Sequence, residues 1–259
     1  TQVREASGLT KVAVANFINV SSAAISKWES GKQYPEEGSL AALSNFFNMP
    51  LHWFLKELPA IEETKPHFFR TNSATTNTAR NIAKRKMSWA HEITLVLQKW
   101  IELPPVSLPS LHEENFLNIS DAEIEALAQQ CRERWGLGFA PILDVVLAME
   151  SAGIICIRDE IGYVKMDGVS HWYDDRPFVF ISSDKANGIR NRLDAAHELG
   201  HIILHRYVST TDYKKHYKEI ERQANLFAGS FLLPASSFAQ NIALTSLDGF
   251  LSIKPRWKV

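Results

Sequence analysis

The chain has 259 residues, 45% of them hydrophobic, and 28 lysines and arginines against 29 acids give a formal net charge of −1. That length favours two domains with chain enough for real cores, and the charge balance argues against a global field for nucleic acid or membrane. The longest apolar runs, at 154–157 and 178–181, are far too short to span a bilayer, and no secretory leader is visible.

Residues 1–55 read as short helices with tight breaks. One helix is expected over 9–18, with Asn19 and Val20 making a turn. Ser21 then caps a second helix over 22–29, which stops at Ser30 and Gly31, and a third covers 40–47 ahead of Pro50. Two short helices across a tight turn are the helix-turn-helix pattern. Ile25 and Trp28 are core by spacing. The string VSSAAISKWESGK at 20–32 resembles the phage-repressor-like (Xre) family of DNA-binding domains. Asn19 stands where that family has a turn glycine, and asparagine accepts left-handed backbone with little strain. The resemblance implies that Ser22, Ala23, Ser26 and Lys27 face the major groove and that Lys32 meets a phosphate. However, Arg4, Lys11, Lys27 and Lys32 are offset by Glu5, Glu29, Glu36 and Glu37, and phosphate attraction drives most DNA affinity. Double-stranded DNA bound with modest affinity is the expectation, with docking of another helix-turn-helix protein as the alternative.

Residues 56–110 read as a basic loop and helical linker. Lys65, Arg70, Arg80, Lys84, Arg85 and Lys86 occur with no acid among them. A polar stretch at 71–78 precedes a helix over 78–101 with Ile82, Trp89, Ile93, Val96, Leu97 and Trp100 as its apolar stripe. Arg80, Lys84 and Lys86 are candidate phosphate contacts; a solvated basic face explains them equally well. Pro104, Pro105 and Pro109 end the helix.

Residues 111–259 read as a second domain. Ser120 caps a helix over 121–135, with Ile124, Leu127, Ala128 and Cys131 inward. Pro141 starts another over 142–151, and strands follow at 154–157, 169–173 and 178–182. The two cysteines, Cys131 and Cys156, read as buried thiols in a reducing cytosol, so a cytoplasmic protein is expected. Beginning at Thr1 instead of Met points to a missing N-terminal piece, and a C-terminal region beyond Val259 is also expected to be missing. The fold class is α+β: an all-α helix-turn-helix domain, a helical linker, then a small mixed sheet packed with helices that carry a zinc site.

That site is legible in HELGH at 197–201. On a helix His197 and His201 stand one turn apart and face the same way, so two imidazoles can bind one zinc ion. Glu198 beside them is the base that takes a proton from the attacking water. A third protein ligand is needed. Residues 219–228 read as a second amphipathic helix on which Glu221, Asn225 and Ala228 share a face, which makes Glu221 the expected third ligand and Glu219 the runner-up. His205 reads as structural or as a partner of a ligand, His171 as a residue near substrate, and Asp194 as a group orienting a ligand imidazole or as a solvent-facing helix residue.

The strings MDGVS at 166–170, RPFVFI at 176–181, RNRLDAAHELGHIILH at 190–205, ERQANLFA at 221–228 and FLLP at 231–234 resemble the ImmA/IrrE family of zinc metallopeptidases. Gln223 departs from that family, which often has a second acid there, and this favours Glu221 as the ligand. The resemblance implies site-specific cleavage of a repressor protein that switches genes on. The competing expectation is a non-catalytic DNA-binding regulator or antitoxin that uses the peptidase fold as a sensor. Partners are thus a repressor as substrate and double-stranded DNA, with no membrane. A homodimer is compatible with the sequence.

Overall fold

The computed structural model describes residues 1–55, 65–71, 76–111, 113, 115–163, 166–185, 188–242 and 245–258. These residues form two compact units. One comprises Thr1–Glu63 with Thr76–Lys86, the other Thr64–Thr75 with Met87–Val259. The segment 56–110, expected as a separate linker, is therefore divided between them.

The first unit is helical: α1 (Gln2–Ala6), α2 (Lys11–Phe17), α3 (Ser22–Glu29), α4 (Glu37–Phe47) and the opening turns of α5 (Asn77–Leu97). Thr10 and Ser21 cap α2 and α3 by accepting from the backbone N–H of Ala13 and Ala24. Asn19 adopts φ 57°, the left-handed conformation expected of the turn. The core is Val14, Ala15, Ile25 and Leu43, with Trp28 half-buried against it. Arg4 Nε donates to Glu29 Oε1 at 2.7 Å and ties α1 to α3. In this unit Ser22, Ala23, Lys27 and Lys32 are exposed and Ser26 is half-buried, its hydroxyl accepting from Lys11 at 3.3 Å.

The second unit is built on a four-stranded mixed sheet ordered β1-β3-β4-β2, from β1 (Phe68–Thr71), β2 (Ile155–Asp159), β3 (Met166–Tyr173) and β4 (Arg176–Ser182). β3 pairs antiparallel with β1 and β4, and β2 runs parallel to β4. Edge strand β1 was expected as linker. Every residue of β3 is buried, so both faces of this strand are covered. On one face lies α8 (Gly188–Leu204), anchored where Trp172 Nε1 donates to Ile202 O at 3.1 Å. On the other lies the later part of α5, where His91 stacks on Tyr173 with centroids 4.5 Å apart.

Two helices differ from expectation. Val145–Ser151 (α7) is capped by Asp144 instead of starting at Pro141, because the aspartate side chain can accept from the Leu147 N–H and proline cannot. On α5 the buried face is Ala79, Ile82, Ala83, Met87, Ser88, His91 and Thr94, whereas Ile93 is 59% exposed and Trp100, expected in the same stripe, lies beyond the helix end and is 82% exposed. Small and polar residues make close packing there, and a hydrophobicity pattern does not register them.

The domain is completed by α6 (Asp121–Arg134), α9 (Thr210–Lys215), α10 (Tyr217–Leu232), α11 (Ala235–Asn241) and α12 (Leu247–Trp257). Ser120 and Glu123 form a full capping box at the start of α6. Arg132 on α6 is buried and donates to the carbonyls of Gly138, Ala140 and Phe231, which fastens α6 to the end of α10. Among the described residues no helix is long and apolar enough to cross a membrane.

Candidate metal centre

Helices α8 and α10 pack directly on one another. They come close together at Gly200. A Cβ there would stand 3.1 Å from both the Cα and the carbonyl oxygen of Ala224, so the bare glycine lets the helices meet and brings their polar faces together. Gly200→Val should force α10 outward. Overpacking of this kind costs about 1–3 kcal/mol, and a lower urea midpoint together with weaker metal retention is the expected result. A midpoint equal to that of the wild type would show that the contact is not tight.

On the facing surfaces His197, His201 and Glu221 converge, with one ligand atom from each all within 4.8 Å of one another. The two Nε2 atoms are 3.0 Å apart, His197 Nε2 is 3.4 Å from Glu221 Oε2, and His201 Nε2 is 3.4 Å from Glu221 Oε1. A tetrahedron with ligand bonds of about 2.0–2.2 Å has edges of about 3.3–3.6 Å, so the two 3.4 Å imidazole–carboxylate spacings suit a small divalent ion and the imidazole pair is slightly closer. The donor chemistry suits it too. His197 Nδ1 donates to Asn225 Oδ1 at 2.9 Å, which leaves a bare lone pair on Nε2. Burial lowers the His197 pKa to about 4, so the ring is neutral near pH 7, the form that binds metals. Glu221 supplies a carboxylate oxygen to each imidazole nitrogen's side of the set. Lone-pair donors crowded at these distances repel unless a cation sits among them.

Glu198 lies beside this set, fully buried. Its Oε2 accepts from Ser170 Oγ on β3 at 2.6 Å, and its Oε1 has no hydrogen-bond partner. Burial raises its pKa well above the ordinary carboxylate value. A strand passes this close because Gly168 has no side chain: a Cβ there would stand 2.8 Å from Glu198 Oε1. Phe68 of β1 stacks on His201, centroids 4.9 Å apart, and closes the other flank.

Glu219 pairs with Arg222 at 2.7 Å on the surface. Asp194 is buried and pairs with Arg70 at 3.2 Å, so Asn225, not Asp194, orients His197. His171 points to the sheet face opposite Ser170 and stacks on His67, centroids 3.9 Å apart, because successive strand residues alternate faces. His205 reaches His201 Nδ1 at 3.0 Å. Neither cysteine belongs to the metal-binding group among the described residues; Cys131 is buried and Cys156 half-buried. Sequence reasoning gave Ser170 no role. Asn225 was legible in principle, one helical turn beyond Glu221 on the same face.

Comparison with known proteins adds two family matches. Residues 150–259 match a peptidase family described as the IrrE N-terminal-like domain, whose members are metallopeptidases and imply a metal cofactor. Residues 2–54 match a helix-turn-helix family. An HTH-type transcriptional activator, BcrR of Enterococcus faecalis, is 42% identical over 66 residues, which cover 25% of this chain and 32% of that protein. The chain thus spans about a third of the length of that relative.

Proposed function

The chain joins a helix-turn-helix domain to a metallopeptidase domain of the IrrE type, and from that premise we infer a zinc-dependent endopeptidase that cuts a partner transcriptional repressor and so changes gene expression. The convergence of His197, His201 and Glu221 beside a buried Glu198 carries this reading. Zinc in that donor set would lower the pKa of water to about 7 and polarise the scissile carbonyl. The chain's own groups supply the rest. Asn225 holds His197 with its Nε2 inward. Ser170 holds the Glu198 carboxyl in place, and Glu198 takes the proton of the attacking water and delivers it to the leaving amine nitrogen. The walls formed by Gly168 and Phe68 exclude bulk water, which strengthens every electrostatic contact inside. The two thiols fit a reducing cytosol.

The test is co-expression with candidate helix-turn-helix repressors, followed by mass spectrometry of the products, with Glu198→Gln as the control. One defined cut in the wild type and none in the control is expected. An intact repressor in both would support instead a non-catalytic regulator that uses the peptidase fold as a sensor.

We propose double-stranded DNA as the partner of the helix-turn-helix domain, read by Ser22, Ala23, Ser26 and Lys27, with Lys32 on a phosphate. Arg80, Lys84 and Lys86 belong to the same compact unit, which favours further phosphate contacts. Neutralising those three should weaken binding on all sequences alike and flatten the salt slope by about 3. Changing Ser26 or Lys27 should alter sequence preference. Mobility-shift titrations at two salt concentrations measure both effects. No shift at low salt would point to protein docking through the same face, with the repressor's own helix-turn-helix as the occupant.

A further inference from the structure

The ring of His201 is held by a buried chain of polar groups that runs away from the metal centre. Gln223 Nε2 donates to the backbone carbonyl of Phe116 at 2.8 Å. A carbonyl oxygen only accepts, so the Gln223 atom facing it is the amide NH₂, and the flip of the amide is settled. Gln223 Oε1 is then the atom 3.0 Å from His205 Nε2, and it too only accepts, so His205 carries its proton on Nε2. A neutral His205 therefore presents a bare Nδ1, 3.0 Å from His201 Nδ1. The proton in that contact must come from His201. With its Nδ1 protonated, neutral His201 has its lone pair on Nε2, the atom that faces His197 and Glu221. Gln223, His205 and His201 are each at most 1% exposed, so water does not substitute for any link.

We propose that Gln223 and His205 are positioning residues that fix the tautomer of His201, with the Phe116 carbonyl as the fixed end of a one-way relay. The direction cannot reverse, because a reversed chain would need a donor at Phe116 O. Nothing comparable is required on the His197 side, where the single residue Asn225 does the same task. The relay gives Gln223, which departs from the acid the resemblance leads one to expect, a task that needs both a donor and an acceptor on one side chain. The amide supplies both, whereas an ionised carboxylate supplies only acceptors. Without the relay His201 divides between two tautomers, one of which puts an N–H where a metal ligand belongs, and affinity falls accordingly. Loss of such partners typically lowers metal affinity roughly 10–100-fold.

The proposal rests on the His197–His201–Glu221 metal centre, and the experiment separates the two. The metal-free protein, labelled with ¹⁵N in its histidine rings, is examined by long-range ¹H–¹⁵N correlation NMR. The expected pattern is a protonated Nδ1 on His201 and a protonated Nε2 on His205. The opposite assignment on either ring in the wild type overturns the relay, whatever the metal affinity proves to be. In Gln223→Met the His201 signals should shift toward the mixed-tautomer position, and zinc affinity in a competition titration should fall roughly 10–100-fold. Wild-type signals and affinity in Gln223→Met would also overturn the relay. Zinc affinity left unchanged by Glu221→Ala would instead count against the metal centre and leave the tautomer result standing on its own. The wild-type spectrum decides the matter even where a variant fails to fold.

Discussion

Glu198→Gln is expected to abolish repressor cleavage while leaving the fold and bound metal unchanged. The amide has the shape of the carboxyl, and the 2.6 Å contact from Ser170 Oγ has an oxygen to meet in either side chain. What the amide lacks is the capacity to take a proton from water. A positioned general base typically contributes about 10²–10⁴-fold, and here one group serves both the attack and the departure of the amine, so the loss should lie at the upper end. Metal content by elemental analysis should match the wild type, because Glu198 is not one of the three converging ligands. Cleavage at the wild-type rate would refute the role assigned to Glu198. A variant that lost its metal would show that Glu198 helps to hold the ion.

Glu221→Ala should remove the metal itself. Glu221 is the only anion in the converging set, and its loss leaves two neutral imidazoles to hold a divalent ion. The fall in zinc affinity should exceed the roughly 10–100-fold that loss of an outer-shell partner costs, and dialysis against a chelator should strip the variant under conditions the wild type survives. Cleavage should disappear with the metal and return to the wild type, not to the variant, when zinc is restored. Wild-type affinity in Glu221→Ala would remove this residue from the ligand set. The alternative ligand Glu219 is engaged with Arg222 on the surface, so Glu219→Ala is expected to leave zinc binding as it is.

The two variants separate chemistry from assembly. One should keep a loaded centre that does not cut, the other a fold that does not load. Gly200 links them, since the approach of α8 to α10 that its missing side chain permits is also what carries Glu221 to the two histidines.

Much of this protein could be read from local pattern. The caps at Ser21 and Ser120 mark helix starts because a side-chain oxygen three residues before an orphan N–H is a local event. The spacing of His197 and His201, and of Glu221 and Asn225, gives shared helix faces for the same reason, since one turn separates each pair. The left-handed Asn19 and the helix-turn-helix around it are likewise local. Other features depended on residues far apart in the chain. Strand β1 comes from a segment that reads as linker, because an edge strand of four residues has no period long enough to see. The buried face of α5 combines Ile82 and Met87 with alanine, serine, threonine and histidine, and the small and polar members are chosen by what packs against them, not by hydrophobicity. Ser170 and Gly168 reach Glu198 only because β3 lies across α8 with even-numbered residues turned toward it, a register that pairing with β1 and β4 imposes. His205 and Gln223 are eighteen positions apart, and only the packing of α10 on α8 makes them neighbours of one another and of His201. Sequence by itself put His197 and His201 on one helix face, because ligand spacing on a helix is a property of the helix. Tertiary structure decided what those side chains face, because hydrogen bonds between separate elements exist only once the elements have packed.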